Sequence, residues 1–186
     1  MSINKNSDWG HWALAVAVGA VLRIVGALSG IGPFAADDYE WGIRVGYQWF
    51  LDPNTPFLSA FRTPLMGRFV AGAMSVGHAC GISEPIHLLQ FSYLILGVIS
   101  LAGIPAAFYL AKSRWGLLEA KTAAWLMAIF ALMPRISTRA LIGAVAMTPV
   151  LWGFLFLERS FKSQTKSFRA ALIGTLVVGI GAVIRY

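Results

Sequence analysis

The sequence predicts an all-α, polytopic membrane helix bundle with about five transmembrane helices and juxtamembrane amphipathic helices in its first outward loop. Three observations carry that expectation. Of 186 residues, 58% are hydrophobic and only 12% are charged, half the roughly 25% that covers a water-facing surface. Mean hydropathy is +0.69. Apolar runs of spanning length recur from end to end, so residues 1–186 are expected to form a single transmembrane domain. The net charge of +7 comes from 15 Lys+Arg against 8 Asp+Glu. In a membrane chain such a surplus records topology and anionic headgroups rather than a nucleic-acid partner. Cys80 is the sole cysteine, which excludes an intramolecular disulfide and a cysteine-rich metal site.

The first apolar run covers 12–31 and is interrupted only by Arg23; at 1.5 Å per residue it reaches roughly 30 Å. A cleaved signal peptide is the rival, since Ala27-Leu28-Ser29 is similar to a small-residue cleavage site. Arg23 within the run and Asp8 before it argue against cleavage. Residues 86–111 form the clearest span and end at Lys112-Ser113-Arg114. A third runs over 117–133, with Glu119 and Lys121 at the interface and Pro134 as its stop. The fourth, 140–157, should kink at Pro149. The fifth, 170–184, is short. Residues 69–82 are rich in Gly and Ala and give only about 21 Å of helix, which suits an interfacial or half-buried helix better than a crossing.

Charge orients the spans. With five crossings and the N-terminus inside, 112–121 and 158–169 face the cytoplasm, while 32–85, 134–139 and 185–186 face outward. Lys5, Lys112, Lys121, Lys162 and Lys166 then all lie inside, with Arg114, Arg159 and Arg169. The outward side carries no lysine but has Arg44, Arg62, Arg68, Arg135, Arg139 and Arg185. A guanidinium grips phosphate or carboxylate with two parallel bonds, whereas an ammonium is a hydrated point charge. A lysine-free, arginine-rich face therefore points to anion binding. The plainer account is headgroup anchoring and pairing with Asp37, Asp38, Glu40, Asp52 and Glu84.

The outward loop supplies the rest. Trp41, Val45 and Trp49 recur at helical spacing, and Glu40 and Arg44 form an i,i+4 pair, so a helix lying on the membrane surface is expected. Asp52-Pro53-Asn54-Thr55-Pro56 turns the chain. Asp37 suits an N-cap, with Glu40 three residues on, which leaves Asp38 without a task. The chemical alternative is a partly desolvated carboxylate serving as a general base. In the second outward turn, Arg135 and Arg139 are four apart and share a helical face.

Taken together, Asp37-Asp38, Arg62-Thr63-Pro64-Leu65, Ser137-Thr138-Arg139 and Arg185-Tyr186 resemble, in order and approximate spacing, the GT-C superfamily of membrane glycosyltransferases. The resemblance is strongest to the mannosyltransferases that build GPI anchors and lipid-linked oligosaccharides. It implies transfer of a mannose-like sugar, with inversion, from a polyprenyl-phosphate sugar to a glycan or lipid acceptor. The reaction would occur on the periplasmic side of a bacterial inner membrane or the lumenal side of the endoplasmic reticulum. Asp37 would be the base, with Asp38 beside it. Arg62, Arg68, Arg135, Arg139 and Arg185 would hold the donor phosphate, with no metal and no further cofactor. Family members are longer, and this chain matches roughly their first half, which implies a fragment, one polypeptide of a split enzyme completed by a second membrane polypeptide, or a paralogue with another task. Ala35-Ala36 stands where the family has His-Pro.

Smaller signals are structural. His11, His78 and His87 lack paired metal-ligand spacing, and His78 and His87 should make local hydrogen bonds. Gly72, Gly77, Gly174, Gly179 and Gly181 permit close helix packing, and no nucleotide-cradling glycine loop occurs. The competing functional classes are a non-catalytic membrane subunit that binds a lipid phosphate or scaffolds a larger enzyme and, further off, a transporter, for which one intramembrane charge is few.

Overall fold

The computed structural model describes residues 5–29, 38–57, 64–130, 142–162 and 168–185, and these are helical apart from short turns, with no strand among them. The helices are α1 Lys5–Ser29, α2 Val45–Leu51, α3 Leu65–Ala79, α4 Pro85–Leu101, α5 Gly103–Arg114, α6 Leu117–Ile129, α7 Ile142–Lys162 and α8 Phe168–Arg185. A π-helical segment, Asp38–Arg44, leads directly into α2. Two helical stretches are long and apolar enough to cross a membrane, Asp8–Ser29 and Pro85–Arg114; Phe168–Ile184 is a shorter apolar helix.

The turns follow from local chemistry. Gly81, at φ +90°, ends α3 in a Schellman motif: the amide of Ile82 donates to Gly77 and that of Gly81 to His78. Glu84 is extended and Pro85 opens α4, where the missing N–H costs nothing. Gly116, at φ +120°, allows α6 to reverse directly from α5.

Among the described residues, the long helices run between two ends. At the basic end, Lys112 of α5 pairs with Asp8 of α1. Ser113 and Arg114 bond Glu158 of α7, at 2.7 and 3.3 Å. The indole N–H of Trp12 donates to the Tyr109 hydroxyl at 3.3 Å. At the opposite, loop end, Ala27, Leu88, Met66, Val70 and Met74 form one core cluster, joined by Val145 of α7 and Ile184 of α8. The π-helical segment, α2 and α3 all sit there.

Packing is close where residues are small. Ala120, Ala124 and Ala128 put a methyl stripe of α6 against Ala15, Ile104 and Phe108. A Cβ on Gly153 would come 2.8 Å from the Val178 amide nitrogen, and one on Gly174 2.9 Å from that of Leu157, so α7 and α8 touch backbone to backbone. Gly174, Gly181 and Gly77 thus serve close packing as expected, while a Cβ at Gly72 or Gly179 would meet nothing within 4 Å.

The expected second span, 86–111, lies within Pro85–Arg114, which is interrupted at one turn residue, Ala102, three residues before Pro105, and so divided into α4 and α5. Proline withholds the N–H that Leu101's carbonyl would receive, and its ring crowds that carbonyl. Trp152 answers the break, donating from Nε1 to the Ala102 carbonyl at 2.8 Å. By contrast, α7 continues through Pro149. The aromatic stripe of α2 differs from the expectation and turns inward. Val45 and Trp49 are buried against Ala71 of α3 rather than laid on a surface.

Apolar side chains line the outside too. Leu14, Val21, Val25 and Leu28 expose one stripe of α1, and Leu172, Leu176, Ile180 and Val183 one of α8.

Candidate functional site

The loop end is built on α3. Glycines set how closely α2 lies on it: a Cβ at Gly46 would sit 2.6 Å from Val70, and one at Gly67 2.9 Å from the Trp49 ring. Trp49 is almost wholly buried. Its indole N–H donates to the Thr55 carbonyl at 2.7 Å, and the Phe57 ring lies 5.5 Å away. The guanidinium of Arg68 stacks over the same indole, 4.1 Å from its centroid. Stacking occupies the face of a guanidinium and leaves its N–H edge for an acceptor. No carboxylate among the described residues pairs with it.

The π-helical segment brings Glu40 and Arg44 together at 2.8 Å, the i,i+4 pair expected from the sequence. Both side chains are roughly half exposed, so the pair adds at most about 1 kcal/mol. Beside it lies an open cavity of about 530 Å³, lined by Tyr39, Ile43, Arg44, Tyr47 and Gln48 on one side and by Met74, Pro85, Ile86 and Leu89 on the other. The lining is mostly apolar, and Arg44 is its only charged residue among those described. Such a cavity suits an acyl or prenyl chain with an anionic group held at the rim.

Of the residues expected at the site, Arg68 lies on α3 with its side chain exposed. Asp38 opens the π-helical segment and Arg185 closes α8; their side chains lie beyond the described part. Asp37, Arg62, Arg135 and Arg139 lie outside the described residues. The helices bearing Asp38, Arg68 and Arg185 meet at the same end, since α3 packs against both the π-helical segment and the end of α8. Arg68, the one expected residue whose side chain is described, does not line the cavity. Arg44, counted among the outward arginines but not among the phosphate ligands, does.

His78 makes the local hydrogen bond expected of it, Nδ1 to the Ile82 carbonyl at 3.3 Å. No group of three or more His, Cys, Asp or Glu capable of holding a metal ion occurs among the described residues. Compared with family models, curated proteins and solved structures, the chain matches none.

Proposed function

We propose that the chain crosses a membrane five times and acts at the loop end as a glycosyltransferase, or the catalytic half of one completed by a second membrane polypeptide. The donor is a polyprenyl-phosphate sugar, mannose-like by the resemblance, and the acceptor a lipid or glycan on the periplasmic or lumenal face. The five crossings are supported by the helices running between two ends, the exposed apolar stripes on α1 and α8, and the sequence positions of the lysines.

The observation that carries the transferase reading is the 530 Å³ cavity, mostly apolar and bearing Arg44, beside the segment that Asp38 opens. Its walls suit a prenyl chain. Its rim offers a guanidinium for the phosphate, which stabilises the charge left when the sugar departs. In this reading Asp37 removes the proton from the acceptor hydroxyl, whose oxygen displaces the phosphate from the anomeric carbon in one inverting step. Asp38 supports it. Arg68 supplies a second guanidinium, with Arg62, Arg135, Arg139 and Arg185 as further ligands of the phosphate.

A second reading keeps the lipid phosphate and omits the chemistry: a non-catalytic subunit. It is favoured by the engagement of Arg44 with Glu40 and of Arg68 with Trp49. The two readings separate in proteoliposomes supplied with polyprenyl-phosphate mannose and membrane acceptor lipids. For the transferase, Asp37→Asn lowers sugar transfer at least about 100-fold while leaving insertion and donor binding intact. Transfer unchanged by Asp37→Asn removes the catalytic assignment.

A further inference from the structure

A second cavity, of about 450 Å³, lies on another face of α4. Pro85, Ile86 and Leu89 face the first cavity, while Glu84, His87, Gln90 and Phe91 face the second. At 100° per residue the two sets point about 150° apart, so the first turns of α4 form a wall between the cavities. Leu28 and Leu94 give the second cavity an apolar side. Gln90 donates from Nε2 to the Leu28 carbonyl at 2.9 Å, tying the last turn of α1 to α4.

The two cavities differ in sign. Among the described residues, Arg44 is the only charged one lining the first, and Glu84 the only one lining the second. Helix ends do not change that. The C-terminal end of α1 contributes about half a negative charge, and the N-terminal end of α4 about half a positive one. These offset each other, and the full charge of Glu84 decides. Its carboxylate is exposed and makes no ion pair or helix-cap hydrogen bond among the described residues.

We infer that this second cavity binds the cationic headgroup of an amphiphile. The ammonium lies against Glu84 and the face of Phe91, and the chain runs along Leu28 and Leu94. An anionic headgroup is disfavoured, because the Glu84 carboxylate would repel it and no lysine or arginine among the described residues lines the cavity. The inference rests on the membrane reading for the amphiphilic nature of the ligand and is independent of sugar transfer.

The test uses the protein's single thiol. Cys80 is exposed and adjoins Gly81, which lines the cavity, so an occupant slows its reaction with a maleimide. The full chain in non-ionic detergent is labelled in the presence of dodecylamine, dodecanol or dodecyl phosphate. Dodecylamine is expected to protect Cys80 at a concentration about fivefold lower than dodecanol, the ratio typical of one partly exposed ion pair. Dodecyl phosphate gives no protection. Glu84→Gln removes the advantage of the amine, Glu84→Asp restores it, and Arg44→Gln in the first cavity leaves it unchanged. Folding of each variant is checked by circular dichroism and gel filtration. Equal protection by amine and alcohol, protection by the phosphate, or an amine advantage that survives Glu84→Gln overturns the inference. Labelling in micelles does not depend on the number of membrane crossings, so an error in topology leaves the outcome readable.

Discussion

Arg23 sits in the middle of an apolar helix and is 2% exposed. Its Nε donates to the Ser100 hydroxyl at 2.7 Å, Nη1 to the Gly19 carbonyl at 3.1 Å and Nη2 to the Met127 carbonyl at 3.1 Å. Burying a cation costs several kcal/mol, and three charge-assisted hydrogen bonds return about 1.5–3 kcal/mol each. The two sums are of the same order, so the arrangement holds only while every bond is made. Met127 belongs to the last turn of α6, whose carbonyls have no partner within the helix. Arg23→Ala is expected to lower stability by about 3 kcal/mol. Arg23→Lys should cost about 1–2 kcal/mol, since one ammonium cannot span three acceptors. Reversible unfolding in mixed detergent micelles measures both, and an Arg23→Ala protein as stable as the parent contradicts the assignment. The sequence marks Arg23 as an unusual charge within an apolar run. It does not reveal the partners, because Ser100 and Met127 are 77 and 104 positions away. The same distance hides the Asp8–Lys112 pair, which joins the two ends of a 104-residue separation.

At the scale of elements, periodicity and punctuation locate the helices well. The expected spans 140–157 and 170–184 correspond to α7 and α8, and 69–82 falls largely on α3, an interior helix of the loop end. What periodicity leaves undecided is which neighbour a face meets. Trp41, Val45 and Trp49 give the same stripe whether the helix lies on lipid or on protein. Gly67 and Gly46 decide for protein, by letting α3 approach closely enough to bury Val45 and Trp49. Proline has a similar ambiguity. Pro105 and Pro149 withhold the same hydrogen bond, yet the chain breaks only before Pro105, where Gly103 adds a poor helix former. Glycine can be predicted position by position. Gly153→Ala must displace the Val178 backbone and should destabilise the α7–α8 pair by about 2 kcal/mol or more. Gly179→Ala meets nothing within 4 Å and should instead stabilise by about 0.5–1 kcal/mol through helix propensity. Thermal unfolding of the two variants in detergent gives shifts of opposite sign; shifts of the same sign contradict the packing described.

At the scale of the whole molecule, α1 and α8 expose apolar stripes. Their loss from water, at about 25 cal/mol per Å², favours a lipid surround, while the Asp8–Lys112 and Arg114–Glu158 pairs gather charge near one end. The other end gathers α2, α3, both cavities and the edge of Arg68, which no carboxylate among the described residues pairs. The proposed five-crossing transferase needs those two ends on opposite sides of one membrane, and labelling of single cysteines in sealed cells tests that requirement most directly. Cys80 should react with a membrane-impermeant maleimide from outside. In a Cys80→Ser background, Trp115→Cys, at an exposed position in the turn between α5 and α6, should react only after permeabilisation. Reaction of both positions from the same side would contradict the account.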